Sequence, residues 1–215
     1  LALCAHGDTA LANRYEQTPP SANYATALAS TYVRWLAALF DRDYARALNV
    51  LDRSSEEPVF DGDFRNSFTP KSLLYARTHL LAGNRTEAMR HFEQTKVAIE
   101  LQLTAQEGEG QALTSLYVAL AEVEAVLGDP DRARESLARA APLTSVTQRS
   151  ATRFAIATRV LLPLGEHEPA LRDLDAYLSG PAGCTIERLL ADPQLDPVRD
   201  EPEFAALVAK HQSTQ

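Results

Sequence analysis

The chain has 215 residues, of which 45% are hydrophobic and 23% charged, and its formal net charge is −8. Such a composition is ordinary for a soluble protein with an apolar core, and the negative charge argues against a surface that contacts nucleic acid, since phosphate binding requires clustered lysine and arginine. No apolar run approaches the roughly 18 residues that a membrane-spanning helix needs. We therefore predict a cytoplasmic protein that neither enters a membrane nor binds nucleic acid directly.

Two cysteines, Cys4 and Cys184, lie far apart in the sequence, and neither belongs to a CxxC or other metal-binding spacing. A reduced compartment is the simpler interpretation, and a single disulfide between them stays an alternative. The chain begins with Leu1 rather than methionine. We therefore expect a piece of a longer protein, with an output domain preceding Leu1.

Apolar residues recur at helical spacing along most of the chain and predict a series of helical hairpins. A partial hairpin is expected first, then four complete ones, then a segment that caps the end of the series. The predicted ranges are 1–18 for the partial hairpin, 22–53, 70–106, 110–141 and 148–179 for the complete ones, and 184–211 for the cap.

The segment Ser54–Thr69 interrupts this pattern, because it is acidic, contains glycine and proline, and carries Phe60, Phe64 and Phe68. A loop of this length is usually either functional or packed by its own side chains. Two interpretations stay open. The aromatic rings cover the neighbouring helices, or the loop closes over a ligand pocket.

The hairpin within Leu113–Leu143 has the clearest signals. Gly128 can adopt a left-handed conformation and end the first helix. Asp129 can cap the second helix, and Pro130 suits its first position, where the missing N–H costs nothing.

The same turn recurs along the chain, with glycine five residues before an alanine. Gly7, Gly83 and Gly165 repeat the arrangement of Gly128, and Arg42 holds the corresponding position in a weaker copy. The alanines that follow are 35, 41, 45 and 37 residues apart, close to the period of 34 residues of a helix–turn–helix repeat. These are Ala12, Ala47, Ala88, Ala133 and Ala170.

These residues resemble tetratricopeptide repeats, in which small side chains lie where the two helices of a repeat cross. Glu187–Leu207 resembles the segment that closes such repeats in bacterial multidomain regulators, after winged-helix, cyclase-like, kinase or propeller-like domains. The resemblance implies an all-α, right-handed α-solenoid over residues 1–215, capped by Phe204 and Leu207. It also implies a regulatory or interaction module without chemistry of its own. The matching small residues are Ala76, Ala121 and Thr158 in first helices, and Ala88, Ala133 and Ala170 in second helices.

No motif for catalysis, cofactor binding or metal binding is present, and the five histidines lack ligand spacing. A metal-binding pair of His79 and His91 across one hairpin is the nearest alternative. Glu122 and Glu124 are two apart on a helix and therefore point to different sides, one into a groove and the other to solvent. We predict no enzyme, no cofactor and no metal.

The resemblance further implies a concave groove lined by first helices, and arginines there could bind carboxylates in bidentate fashion. We expect a protein or peptide partner to bind in this groove. The alternative is a small-ligand sensor in which residues 54–69 close a pocket. The predicted groove residues are Arg34, Leu73, Arg77, Val118, Glu122 and Arg159.

Overall fold

Helices form most of the chain in the computed structural model, which describes residues 24–61, 67–105, 111–144, 149–180 and 185–212. The chain divides into two compact units. One comprises the residues up to Phe92 with Glu187–Pro193, and the other comprises Glu93–Ile186 with the residues from Gln194 onward. The helices are α1 (Tyr24–Phe40), α2 (Tyr44–Arg53), α3 (Lys71–Leu81), α4 (Arg85–Ala105), α5 (Gln111–Leu127), α6 (Pro130–Ala140), α7 (Arg149–Ile156), α8 (His167–Leu178), α9 (Ile186–Ala191) and α10 (Pro202–Gln212).

In the first unit, α1 and α2 pack as a hairpin, and α3 packs against α2. The apolar core of this unit is built mainly from α1, which buries Tyr32, Trp35 and Leu36. Helix α2 adds Ala47 and Leu51 to this core. These two residues are four apart, so they share one face of α2 and leave the opposite face outside the core.

The sequence predicts a loop between α2 and α3, but part of this segment forms strands. It contains strand β1 (Val59–Asp61), which pairs in antiparallel fashion with strand β2 (Ser67–Thr69) and aligns Phe60 with Phe68. β-Branched and aromatic residues favour such pairing. Val59 is buried in the core beside α1. Phe64 lies outside the described residues, as do the side chains of Phe60 and Phe68, so neither interpretation of the aromatic segment is tested.

Four helix ends share one backbone conformation. The φ angle is positive at Arg42 (55°), Gly83 (78°), Gly128 (87°) and Gly165 (75°). In each case the next residue donates its amide to the carbonyl five positions earlier, which is the long bond of a Schellman motif. These bonds are Asp43 to Ala38 (2.9 Å), Asn84 to His79 (2.8 Å), Asp129 to Glu124 (2.9 Å) and Glu166 to Leu161 (2.9 Å).

The alanine that follows each of these turns is buried completely. Two of the following helices are also capped by an aspartate, because Asp43 accepts from the amide of Arg46 and Asp129 accepts from that of Arg132. The cap lies where the sequence places it for α6, with Pro130 at the helix start. The alanines, each with 0% exposure, are Ala47, Ala88, Ala133 and Ala170.

In the second unit, α5 and α6 form a closely packed hairpin. Ala121 and Ala125 of α5 meet Ala133 of α6 in a small apolar cluster that also contains Val160. Small side chains at this crossing let the two helix backbones approach. Helix α7 continues as a π-helical turn over Ala157–Leu161, which the sequence did not predict.

The C-terminal segment contains α9, a 3₁₀ helix (Pro193–Val198) and α10. Helix α10 packs against α8 and buries Phe204 and Leu207. Asp175 of α8 accepts hydrogen bonds from Lys210 and is paired with His211, each at 2.7 Å. No helix in the described ranges is both long and apolar enough to cross a membrane.

Candidate functional site

The predicted groove residues of the first unit differ in exposure. Leu73 and Arg77 of α3 are buried, at 0% and 7% exposure. Arg34 of α1 is only partly buried. Because a buried guanidinium must be satisfied inside the protein, Arg77 contributes to the fold as well as to any surface beside it.

The predicted groove residues of the second unit are all buried. Val118 and Glu122 of α5 are 5% and 3% exposed, and Arg159 in the π-helical turn is 7% exposed. Neither Glu122 nor Arg159 lacks an interaction partner. Buried charges are usually paired, so these two side chains are held in fixed positions rather than extended into solvent.

Glu124 is buried, with 3% exposure, whereas its position two residues after Glu122 predicted a solvent-facing side chain. Ser136 of α6 donates a hydrogen bond to its Oε2 across 2.7 Å, and the ammonium group of Lys96 lies 3.9 Å from Oε1. The carboxylate therefore connects three helices of the second unit. The prediction for Glu124 was wrong because the partners of this carboxylate, Ser136 and Lys96, are distant in sequence.

A basic cleft of about 360 Å³ lies beside α1 and α2 in the first unit, and Arg34 is one of its lining residues. Two further arginines, Arg46 and Arg53, line it from α2. We call this feature the arginine cleft. Its complete lining is Thr31, Arg34, Arg46, Asn49, Val50, Arg53 and Ser54.

Helical spacing explains why these residues converge. Arg46, Asn49, Val50 and Arg53 follow one another at i, i+3, i+4 and i+7, so they occupy one face of α2. The core residues of α2 lie on another face. Arg46 and Arg53 were not among the predicted binding residues, although their helical spacing is visible in the sequence, because only first helices were expected to line a groove.

The three arginines of the cleft differ in whether a carboxylate of the described residues pairs with them. Arg46 donates to Asp41 across 2.6 Å and lies 4.0 Å from Asp43. Within the described ranges, Arg34 and Arg53 form no ion pair. Two guanidinium charges in the cleft are therefore left without a carboxylate from the described part of the chain.

Two N–H groups in the cleft are also unused. The Nε atoms of Arg34 and Arg46 are buried and donate no hydrogen bond within the described residues. A buried donor without an acceptor costs on the order of 1–3 kcal/mol.

The polar rim of the cleft includes hydroxyl groups. Thr31 Oγ1 lies 3.3 Å from Ser54 Oγ, which accepts a hydrogen bond from the amide of Glu56. Burial raises the pKa of Glu56, and a hydrogen bond with Thr31 and the charge of Lys71 partly oppose this rise. Glu56 is therefore more easily protonated than an ordinary glutamate.

His79 and His91, the alternative metal-binding pair of the sequence, stack their rings on each other. His79 and His91 lie parallel with ring centroids 5.6 Å apart, and Tyr75 stacks on His91 at 5.1 Å. Metal ligation needs nitrogens that converge on one point about 2 Å away, and parallel faces do not provide this. No group of three or more side chains suited to metal binding occurs in the described part of the chain.

The side chains described above can bind and orient polar groups, chiefly in the arginine cleft. Comparison of the chain with family models, curated proteins and solved structures finds no match.

Proposed function

We propose that this chain is a non-catalytic protein–protein interaction module, built as a right-handed α-solenoid of tetratricopeptide-like hairpins. The observation that supports it is the repetition of one turn, with positive φ followed five residues later by an alanine of 0% exposure. Repeated hairpins of this kind stack on their neighbours and present extended binding surfaces. In the proposed mechanism, a peptide or helix of a partner protein binds along the first helices and regulates an attached domain.

The partner is proposed to be protein rather than nucleic acid, because the chain carries 29 acidic against 21 basic residues. The predicted groove contains Arg77 and Arg159 together with Glu122. Their exposure is only 3–7%, so they would act chiefly by positioning the first helices along which the partner binds.

The test begins with a peptide library displayed on phage and selected against the purified chain. The affinity of a selected peptide is then measured for Arg77→Lys and for Arg139→Lys. Lysine keeps the charge but lacks the planar fork of arginine, so Arg77→Lys should weaken binding by about tenfold, or about 1.4 kcal/mol. Arg139 is exposed on α6, and its replacement should leave the affinity unchanged.

Hydrogen exchange supplies an independent readout. The bound peptide should protect amides of the first helices α1, α3, α5 and α7 more than those of the second helices α2, α4, α6 and α8. Failure to select any peptide would contradict the proposal. Equal affinity of both variants, together with protection confined to the second helices, would do so as well.

A further inference from the structure

The arginine cleft has the size and chemistry of a small-molecule site. Its volume of about 360 Å³ lies within the range of ligand pockets, roughly 300–1,000 Å³. One wall is apolar at Val50, while Thr31, Asn49 and Ser54 supply neutral hydrogen-bonding groups. Such a mixture of a few polar groups with an apolar wall is typical of sites that fix the orientation of a ligand.

The charge of the cleft selects for anions. Arg34 and Arg53 form no ion pair within the described residues, whereas Arg46 is already held by Asp41. Guanidinium groups bind carboxylate and phosphate oxygens with two parallel hydrogen bonds, which makes arginine the preferred residue for such groups. A ligand with two anionic groups would give each of these two guanidinium groups a partner.

The hydrogen-bonding character of the lining points the same way. Arg34 and Arg53 carry guanidinium groups, which only donate. Oxyanion oxygens are acceptors only, so they suit these groups where a cationic or donor-rich ligand would not. The cleft therefore combines positive charge with charged hydrogen-bond donors.

We propose that the arginine cleft binds a small dianionic compound through its oxyanion oxygens, with Arg34 and Arg53 as the principal charge partners. Arg34 belongs both to this cleft and to the predicted groove, whereas Arg53 of α2 belongs to the cleft alone and distinguishes the two proposals. Either property can be present without the other.

Titration of the full chain tests this site. Inorganic phosphate and succinate are the two probes, added at constant ionic strength with chloride as the replaced anion, and binding is measured by calorimetry. Phosphate and succinate distinguish a phosphate-bearing ligand from a dicarboxylate. We expect saturable binding of at least one probe at a single site.

Three variants locate the binding. Arg34→Gln and Arg53→Gln should each weaken the affinity by about tenfold or more, since each removes a charge-assisted hydrogen-bonding partner. Arg85→Gln is the matched control, because Arg85 is exposed on α4 and lies outside the cleft. Its affinity should equal that of the wild type. Arg53 is exposed, so its replacement keeps the test valid even if Arg34→Gln lowers the thermal stability.

Three outcomes would overturn the proposal. One is the absence of saturable binding of either probe. Another is an equal effect of Arg85→Gln and the two cleft variants, which would indicate unspecific attraction by surface charge. The third is binding of an acidic oligopeptide when neither small anion binds, which would make the cleft a protein-docking surface.

Discussion

The indole Nε1 of Trp35 donates a hydrogen bond to Oγ1 of Thr78 across 2.9 Å and thereby joins α1 to α3 over a sequence separation of 43 residues. Both side chains are buried, and the Thr78 hydroxyl donates in turn to the carbonyl of Leu74. This hydroxyl therefore acts as acceptor and donor inside an apolar core. A polar contact of this kind fixes how two helices meet, because apolar neighbours alone tolerate small shifts.

Replacement of Thr78 by valine should lower the free energy of unfolding by about 1–3 kcal/mol, since it leaves the buried indole N–H without its acceptor. Urea denaturation followed by tryptophan fluorescence measures the change, and the chain has one tryptophan, so the signal reports this site. Thr86→Val on the exposed face of α4 is the control and should be nearly neutral. Equal stability of the two variants would show that the hydrogen bond contributes nothing.

Ser136→Ala should also destabilise the protein, by about 1.5–3 kcal/mol, because the buried carboxylate of Glu124 would lose a hydrogen bond to a charged group. Ser179→Ala removes an exposed hydroxyl after α8 and serves as the comparison. The midpoint temperature of thermal unfolding, measured for both variants, should fall for Ser136→Ala and stay nearly unchanged for Ser179→Ala. A small effect at Ser136 would mean that Lys96 alone satisfies Glu124.

The protein should be more stable with glycine at position 42, because Arg42 occupies the left-handed conformation at φ 55°. That conformation costs an ordinary L-residue about 1–2 kcal/mol, and glycine gives back part of this through its greater freedom when unfolded. We expect Arg42→Gly to gain on the order of 0.5–1 kcal/mol in chemical denaturation.

The reverse substitution at an equivalent turn supplies the contrast. An added Cβ at Gly128 would meet no atom within 4 Å, so Gly128→Ala tests the backbone alone. It should cost about 1 kcal/mol. Stabilisation by Gly128→Ala, or loss of stability in Arg42→Gly, would contradict the equivalence of the turns.

Two aspartates of α8 should respond to pH with opposite signs. Hydrogen bonds with Lys210 and His211 lower the pKa of Asp175 below the ordinary value of 3.8, so its ionised form stabilises the folded state. This contribution is present above pH 3.8 and is lost as the pH falls through the lowered pKa. Asp175→Asn should therefore destabilise at neutral pH, by no more than about 1 kcal/mol for so exposed a group, and the difference should vanish in acid.

Burial raises the pKa of Asp173, which Arg153 and Arg172 only partly oppose. A raised value means that the stability contributed by the protonated form is lost as the pH rises through the folded pKa. Asp173→Asn should therefore be neutral or stabilising at neutral pH. Denaturation curves from acid to neutral pH measure both variants, and parallel profiles would contradict the assignment.

Local features of the fold were predictable from the sequence. Helical periodicity indicated the predominance of helices, and the Gly128–Asp129–Pro130 turn has the expected left-handed residue, cap and first helical position. Arg42, identified only by its spacing to Ala47, has the same sign of φ as the glycines. These features depend on residues within one turn, so the local chemistry determines them. The solenoid arrangement and its groove stay predictions.

Features that depend on distant partners were not predictable. Glu124 is buried because Ser136 and Lys96 meet it in space, and periodicity alone cannot indicate this. The short strands were missed because three-residue pairings produce almost no periodic signal. The arginine cleft was missed in part, since Arg34 was named for a groove while its neighbours on α2 were not considered.

The four recurrent turns each close through bonds between residues at most five positions apart, as from Asp129 to Glu124 and from Ala133 to Asp129. Reversal of the chain at these points therefore requires no contact that the chain must find across a long loop. Contacts of short sequence separation form early and with little entropic cost of loop closure. Each hairpin can start to form while the rest of the chain is still unfolded, whereas the hydrogen bond between Trp35 and Thr78 spans 43 residues and carries a larger entropic cost of loop closure.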